Sequence, residues 1–239
     1  MNLKLTDSQN QKIVDAILGG LKMYLAERHE KRNSMIVSGA YAWTKSNHIE
    51  TQLARELTSI EINYELKRIS SWEYVQFFIG DEKIIFLVKS PSFVKSFQEK
   101  GQKNQKHYLR EFSKNNDRLL ESKEIQNRIK RKQLSLPFDE LPTTENVIMD
   151  NVDRSYIIVY EVDSNGMIDS IVSYLPHTNG KLYQVDDLSK YIPTSGVEIT
   201  ADELLIAKET FATDLEYEAN TVLDFEIVGE ENENISSVG

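Results

Sequence analysis

The stretch between residues 155 and 185 constrains the fold most. Ser155–Val162 is rich in Ile, Val and Tyr, turns at Asp163-Ser164-Asn165-Gly166 and returns through Met167–Leu175. A second turn signal, Asn179-Gly180, leads into Lys181–Val185. Branched and aromatic runs separated by Asn-Gly turns form antiparallel meanders, because Gly and Asn supply the positive φ that reverses a twisted strand within a few residues. The same pattern occurs earlier in Ile60–Leu66, Trp72–Ile79 and Lys83–Val88, with Gly80-Asp81 between the last two.

Helical spacing surrounds these strands. Ile13, Ile17, Leu18, Leu21, Tyr24 and Leu25 share one face of a first helix, weakened by Gly19 and Gly20, and Ile49–Leu57 predicts a second. Asp187–Tyr191 and Ala201–Phe211 predict two more, the latter opened by Thr200 as N-cap with Glu203 as its capping-box partner. Thr221–Val228 alternates as a last strand, and the tail beyond Glu230 has little to bury and is expected to be disordered. The fold class is therefore α+β: two small α+β units with antiparallel strands, joined by a basic, largely helical linker. Their expected bounds are 1–94 for the N-terminal unit, 95–132 for the basic segment, 133–142 for an exposed linker, 143–228 for the acidic C-terminal unit and 229–239 for the tail.

With 239 residues, 40% of them apolar, the chain is long enough to bury a core, which excludes disorder throughout. The absence of cysteine excludes disulfides, thiolate catalysis and Cys-bearing zinc sites. No signal-like N-terminus and no apolar run near the roughly 20 residues of a membrane span occur, so a cytoplasmic chain with no membrane association is expected. The net charge of −10 is unevenly spread: +1 over residues 1–94, +7 over 95–132 and −18 over 139–239. Arg128, Lys130, Arg131 and Lys132 concentrate four cations in five residues. Such a cluster suits either a solvated face or sequence-neutral contact with nucleic-acid phosphates.

At the seam between the basic and acidic blocks stands Gln133-Leu134-Ser135-Leu136-Pro137-Phe138. This hexapeptide resembles the sliding-clamp-binding motif of bacterial replication and repair proteins, in which Gln, Leu, a small residue, Leu and a final Phe or Leu occupy positions one, two, three, four and six. The resemblance implies that Gln133, Leu134, Leu136 and Phe138 bind the bacterial DNA polymerase sliding clamp, and it assigns a partner but no chemistry. Pro137 disfavours helix at Leu136 and keeps the segment extended, so less entropy is lost on docking. Leu136 and Phe138 can enter an apolar cleft while the Gln133 amide fixes register. Burying two such side chains is worth roughly 3–6 kcal/mol before ordering, which places the isolated peptide in about the micromolar range. The remainder of the chain resembles uncharacterised proteins of Gram-positive bacteria and of their phages or mobile elements.

Catalytic signatures are sparse. No Walker loop, Gly-x-Gly-x-x-Gly or Gly-x-Ser-x-Gly occurs, and His29, His48, His107 and His177 stand too far apart for metal-ligand spacing. No metal site or cofactor is expected. Glu65-Leu66-Lys67 on a strand, with Glu50 on the preceding helix, resembles the metal-dependent nuclease core of restriction-type enzymes. That resemblance implies Mg²⁺ on the carboxylates and Lys67 near the scissile phosphate. A third expectation, an acidic inhibitor mimicking nucleic acid, rests on Asp214, Glu216, Glu218, Asp224, Glu226, Glu230, Glu231 and Glu233, with no Lys or Arg among residues 209–239. A non-enzymatic clamp-binding modulator of replication or repair is the leading expectation, with the nuclease and the mimic as alternatives.

Overall fold

The centre of the molecule is set by two strands that are apolar on both faces. Ile84–Lys89 is buried at every position and Arg154–Val162 over its first seven residues. Strands of this kind need neighbours on each side and cover above and below. In the computed structural model, which describes residues 3–69, 72–80, 83–90, 108–121, 133–135, 152–178 and 181–221, they pair with each other. The strands are β1 (Ile62–Ile69), β2 (Trp72–Ile79), β3 (Ile84–Lys89), β4 (Gln133–Ser135), β5 (Arg154–Val162), β6 (Ile168–Pro176) and β7 (Lys181–Asp187). They form one sheet in the order β1-β2-β3-β5-β6-β7-β4. Every neighbouring pair is antiparallel except β3 and β5, which run parallel with Ile84 beside Arg154 and Lys89 beside Val159.

The fold is α+β, but the strands of the two expected units share a single sheet. Each meander obeys local turn rules, whereas the seam joining them is a parallel pairing between residues far apart in sequence, which no turn signal announces.

Helix α1 (Asp7–Ser34) opens on a capping box in which the Gln9 amide N–H donates to Thr6 Oγ1 at 3.2 Å and the Thr6 N–H to Gln9 Oε1 at 2.9 Å. It runs unbroken through Gly19 and Gly20. Ile13, Ile17, Leu21, Tyr24 and Leu25 are buried in a core shared with Phe77, Phe86, Tyr156, Ile158 and Leu175 of the sheet. A 3-10 turn at Gly39–Trp43 leads to α2 (Thr44–Leu57), which lies along α1 and adds Ile49, Leu53 and Leu57. A smaller core on the other face joins Tyr74, Ile85, Leu87, Ile157, Val159 and Tyr174 to Phe112 of α3 (Tyr108–Leu120). Within the expected helical linker, the part described is thus a helix packed on the sheet.

Two C-terminal expectations change. The expected helix at Asp187–Tyr191 is a 3-10 turn at Ser189–Thr194, and α4 (Ala201–Thr221) extends ten residues past Phe211. Its start matches the sequence: the Thr200 N–H donates to Glu203 Oε2 at 2.7 Å and the Glu203 N–H to Thr200 Oγ1 at 3.2 Å. The strand expected at Thr221–Val228 and the tail lie, beyond Thr221, outside the described residues.

Candidate functional site

The clamp-like segment begins on the sheet. Gln133, Leu134 and Ser135 form β4, antiparallel to β7, with Gln133 opposite Tyr183, Leu134 opposite Leu182 and Ser135 opposite Lys181. β4 is the last strand in the order, so the start of the segment lies at an edge. This corrects the expectation of a free linker over these three residues: the extended conformation is as expected, and the backbone is paired. Leu136, Pro137 and Phe138 lie outside the described residues, as do Arg128, Lys130, Arg131 and Lys132.

The helix that precedes this segment is fixed to the sheet by a buried polar network. The Asn116 side-chain amide donates to the Ser155 carbonyl at 2.9 Å, to Ser155 Oγ at 3.0 Å and to the Pro176 carbonyl at 2.8 Å, while its Oδ1 accepts from the Ser155 N–H at 3.0 Å. Ser155 Oγ in turn donates to the Phe112 carbonyl. One turn position on, Asp117 accepts from the Thr178 N–H at 3.1 Å and from its hydroxyl at 2.7 Å, and lies 3.4 Å from His177 Nδ1. A buried amide bonded on both its nitrogen and its oxygen holds one orientation and resists loosening. The sequence reading missed Asn116 and Asp117. Their one signal is position: two polar residues four and five places after Phe112, on the helix face that has to be buried.

The nuclease residues divide between two places. Glu50 reaches from α2 to the sheet where β2 and β3 part: these strands pair only from Phe77 to Ile79 against Ile84 to Phe86. Beyond that point Glu50 Oε2 accepts from the Val75 N–H at 3.0 Å, and Oε1 lies 3.3 Å from Lys89 Nζ. Both side chains are about nine-tenths buried, at 12% and 9% exposure, so the pair is shielded from screening by salt. The Lys89 ammonium also lies 5.6 Å from the centroid of the Tyr74 ring. Glu50 therefore takes the place of a missing strand neighbour. Glu65 and Lys67 instead stand together on β1, the first exposed and the second half-buried, with Lys67 Nζ 2.5 Å from Glu65 Oε2. Among the described residues no three His, Asp or Glu side chains converge as a metal site.

The histidines and the acidic run are likewise dispersed. His48 Nε2 lies 2.5 Å from Glu27 Oε2, and His29 Nε2 lies 3.0 Å from Asn33 Nδ2. His107 lies outside the described residues. Asp214, Glu216 and Glu218 fall on α4. Asp224, Glu226, Glu230, Glu231 and Glu233 lie outside the described residues. No described helix is long and apolar enough to cross a membrane.

No curated protein and no solved structure matches the sequence. One family model does, and it spans the paired helices, the whole sheet and α4. The chain belongs to the family described as "Family of unknown function (DUF5986)", matched over residues 2–222.

Proposed function

We propose that this protein binds the bacterial DNA polymerase sliding clamp through Gln133–Phe138 and modulates replication or repair from the cytoplasm, without catalysis of its own. The observation that supports the reading is the hexapeptide itself, with every preferred position filled and its first three residues in extended form at a sheet edge. Extended backbone at an edge is the form in which a linear motif docks, because alternate side chains are presented to a cleft while main-chain groups stay available. Pro137 carries no N–H and so has no donor to offer a strand ladder. The cations Arg128, Lys130, Arg131 and Lys132 would add a sequence-neutral contact to DNA held by the clamp. Two weak contacts on one short tether raise the apparent affinity through effective concentration.

The test is binding of purified chain to purified sliding clamp by surface plasmon resonance. Wild type is expected to bind in about the micromolar range or tighter. Leu136→Ala with Phe138→Ala should weaken binding by about 100-fold, since two buried side chains are lost. In the presence of duplex DNA, the contribution of the four cations should fall steeply with salt while the peptide's own contribution persists. Unchanged clamp binding by the double variant would sink the reading.

A further inference from the structure

The sheet has two ends, and the one opposite β4 carries the further inference. β1 is terminal in the strand order and is eight residues long, with no proline and no bulge in its pairing to β2. Tyr64 and Leu66 are exposed at 50% and 61% on one of its faces, and on the other Glu65 is exposed and Lys67 half-buried. A long regular edge with exposed apolar side chains is a template for another strand. What sets this edge apart is its sequence, Ile62-Asn63-Tyr64-Glu65-Leu66-Lys67-Arg68-Ile69, which is complementary to itself when reversed about Leu66.

We propose that β1 pairs antiparallel with β1 of a second copy of this chain, about a two-fold axis at Leu66, so that two sheets become one. In that register Leu66 faces Leu66 of the second copy, Glu65 faces its Lys67 and Lys67 faces its Glu65. Tyr64 faces Arg68, a pair suited to a cation over an aromatic ring. One face of the junction then carries two Leu flanked by two Tyr–Arg pairs, and the other carries two opposite-charge pairs. Each favourable cross-strand pair stabilises a ladder, and like charges directly opposite destabilise it. The neighbouring registers fail on that count: centring on Glu65 opposes two carboxylates, and centring on Lys67 opposes two ammonium groups. The two Glu65–Lys67 ion pairs, one within each strand, are not lost in the dimer but exchanged for two between copies. An isologous contact of this kind closes on itself and does not propagate into fibres. The proposal does not depend on clamp binding, which uses the other edge.

The test combines oligomeric state with register. Sedimentation equilibrium from about 1 μM to about 300 μM spans the range in which small interfaces associate, and wild type is expected to shift from one to two chains. Glu65→Lys places Lys opposite Lys67 and should weaken association by about 10-fold or more, while Glu65→Lys with Lys67→Glu restores complementarity and should return it to the wild-type level. Because the chain has no cysteine, Leu66→Cys introduces the only thiol. Cross-strand Cβ atoms about 4.5–5.5 Å apart should let oxidised glutathione close it into a covalent dimer. Arg68→Cys, whose counterpart is Tyr64, should not cross-link. None of these side chains is buried, and circular dichroism verifies that the variants fold. A monomer at every concentration overturns the proposal in favour of a strand from a different protein. So does a dimer indifferent to Glu65→Lys, or equal cross-linking at positions 66 and 68.

Discussion

Gly20 and Gly19 stand side by side in α1 and have opposite roles. A Cβ on Gly20 would lie 2.5 Å from the Ile49 Cα and 3.0 Å from the His48 carbonyl oxygen, so the two helix backbones meet there with no side chain between them. A Cβ on Gly19 would meet Gln52 Cγ at 3.3 Å, at the flexible part of a polar side chain that can turn aside. Gly20→Ala is therefore expected to push α2 off α1 and destabilise by about 2 kcal/mol even after the gain in helix propensity. Gly19→Ala should be neutral or stabilise by up to about 1 kcal/mol. Urea denaturation of the two variants measures the contrast, and equal shifts would refute the close approach. From the sequence the two glycines read as one weakness in a helix. The distinction depends on α2, which no local pattern places against a particular turn of α1. Glu50 is a similar case: a helical carboxylate is ordinary in sequence, and only the parting of β2 from β3 makes it a strand's hydrogen-bond partner.

Among the elements, the β5–β6 hairpin shows most directly how sequence becomes structure. Asp163 Oδ1 accepts from the Asn165 N–H at 2.8 Å and the Met167 N–H at 2.9 Å, and Oδ2 accepts from the Asn165 side chain at 2.9 Å. Gly166 has φ of +78°, and its α-carbon lies so near α4 that a Cβ would stand 2.8 Å from the Ala207 carbonyl oxygen. The turn is thus also the seat of a helix. Burial pushes the Asp163 carboxyl up, but the hydrogen bonds from Asn165 and Met167 outweigh it and hold the group below its ordinary value of 3.8. A carboxyl depressed in the folded state binds protons more readily when unfolded. Its contribution is thus present above the unfolded value and is lost as pH falls through the folded one. Asp163→Asn should lower stability near neutral pH by about 1 kcal/mol, and its melting temperature should fall less than that of wild type below about pH 4. Parallel melting curves for the two proteins would refute this role. The turn, the strands beside it and the Thr200–Glu203 cap were legible because each is decided within four or so residues. The extent of α4 was not, since its last ten residues carry both charges and apolar groups that suit a strand as well.

At the scale of the molecule, the parallel junction between β3 and β5 is what no local rule anticipates. Two meanders with their own turns read as two units, yet Phe77 and Phe86 from one share a core with Tyr156, Ile158 and Leu175 from the other. The clamp-like hexapeptide was legible as a linear pattern, and the pairing of Gln133–Ser135 with β7 was not, because β4 joins a strand that follows it by some fifty residues. The chain between the two central strands carries the basic block and this segment, and within it α3 is anchored on β5 and β6 through Asn116. Continuity of the backbone across that crossing is also not what holds the halves together. Ile84–Lys89 and Arg154–Val162 pair along the seam, and their apolar side chains enter two cores that each contain residues from both halves. A gene split between Ser90 and Tyr108 should accordingly yield two polypeptides that are insoluble when produced singly, each with an apolar strand edge uncovered. Made together, they should co-purify as one folded complex, and independent soluble folding of either piece would count against the shared core. The molecule would behave as a natural case of fragment complementation, tolerant of a nick in the middle of its chain and intolerant of losing either side.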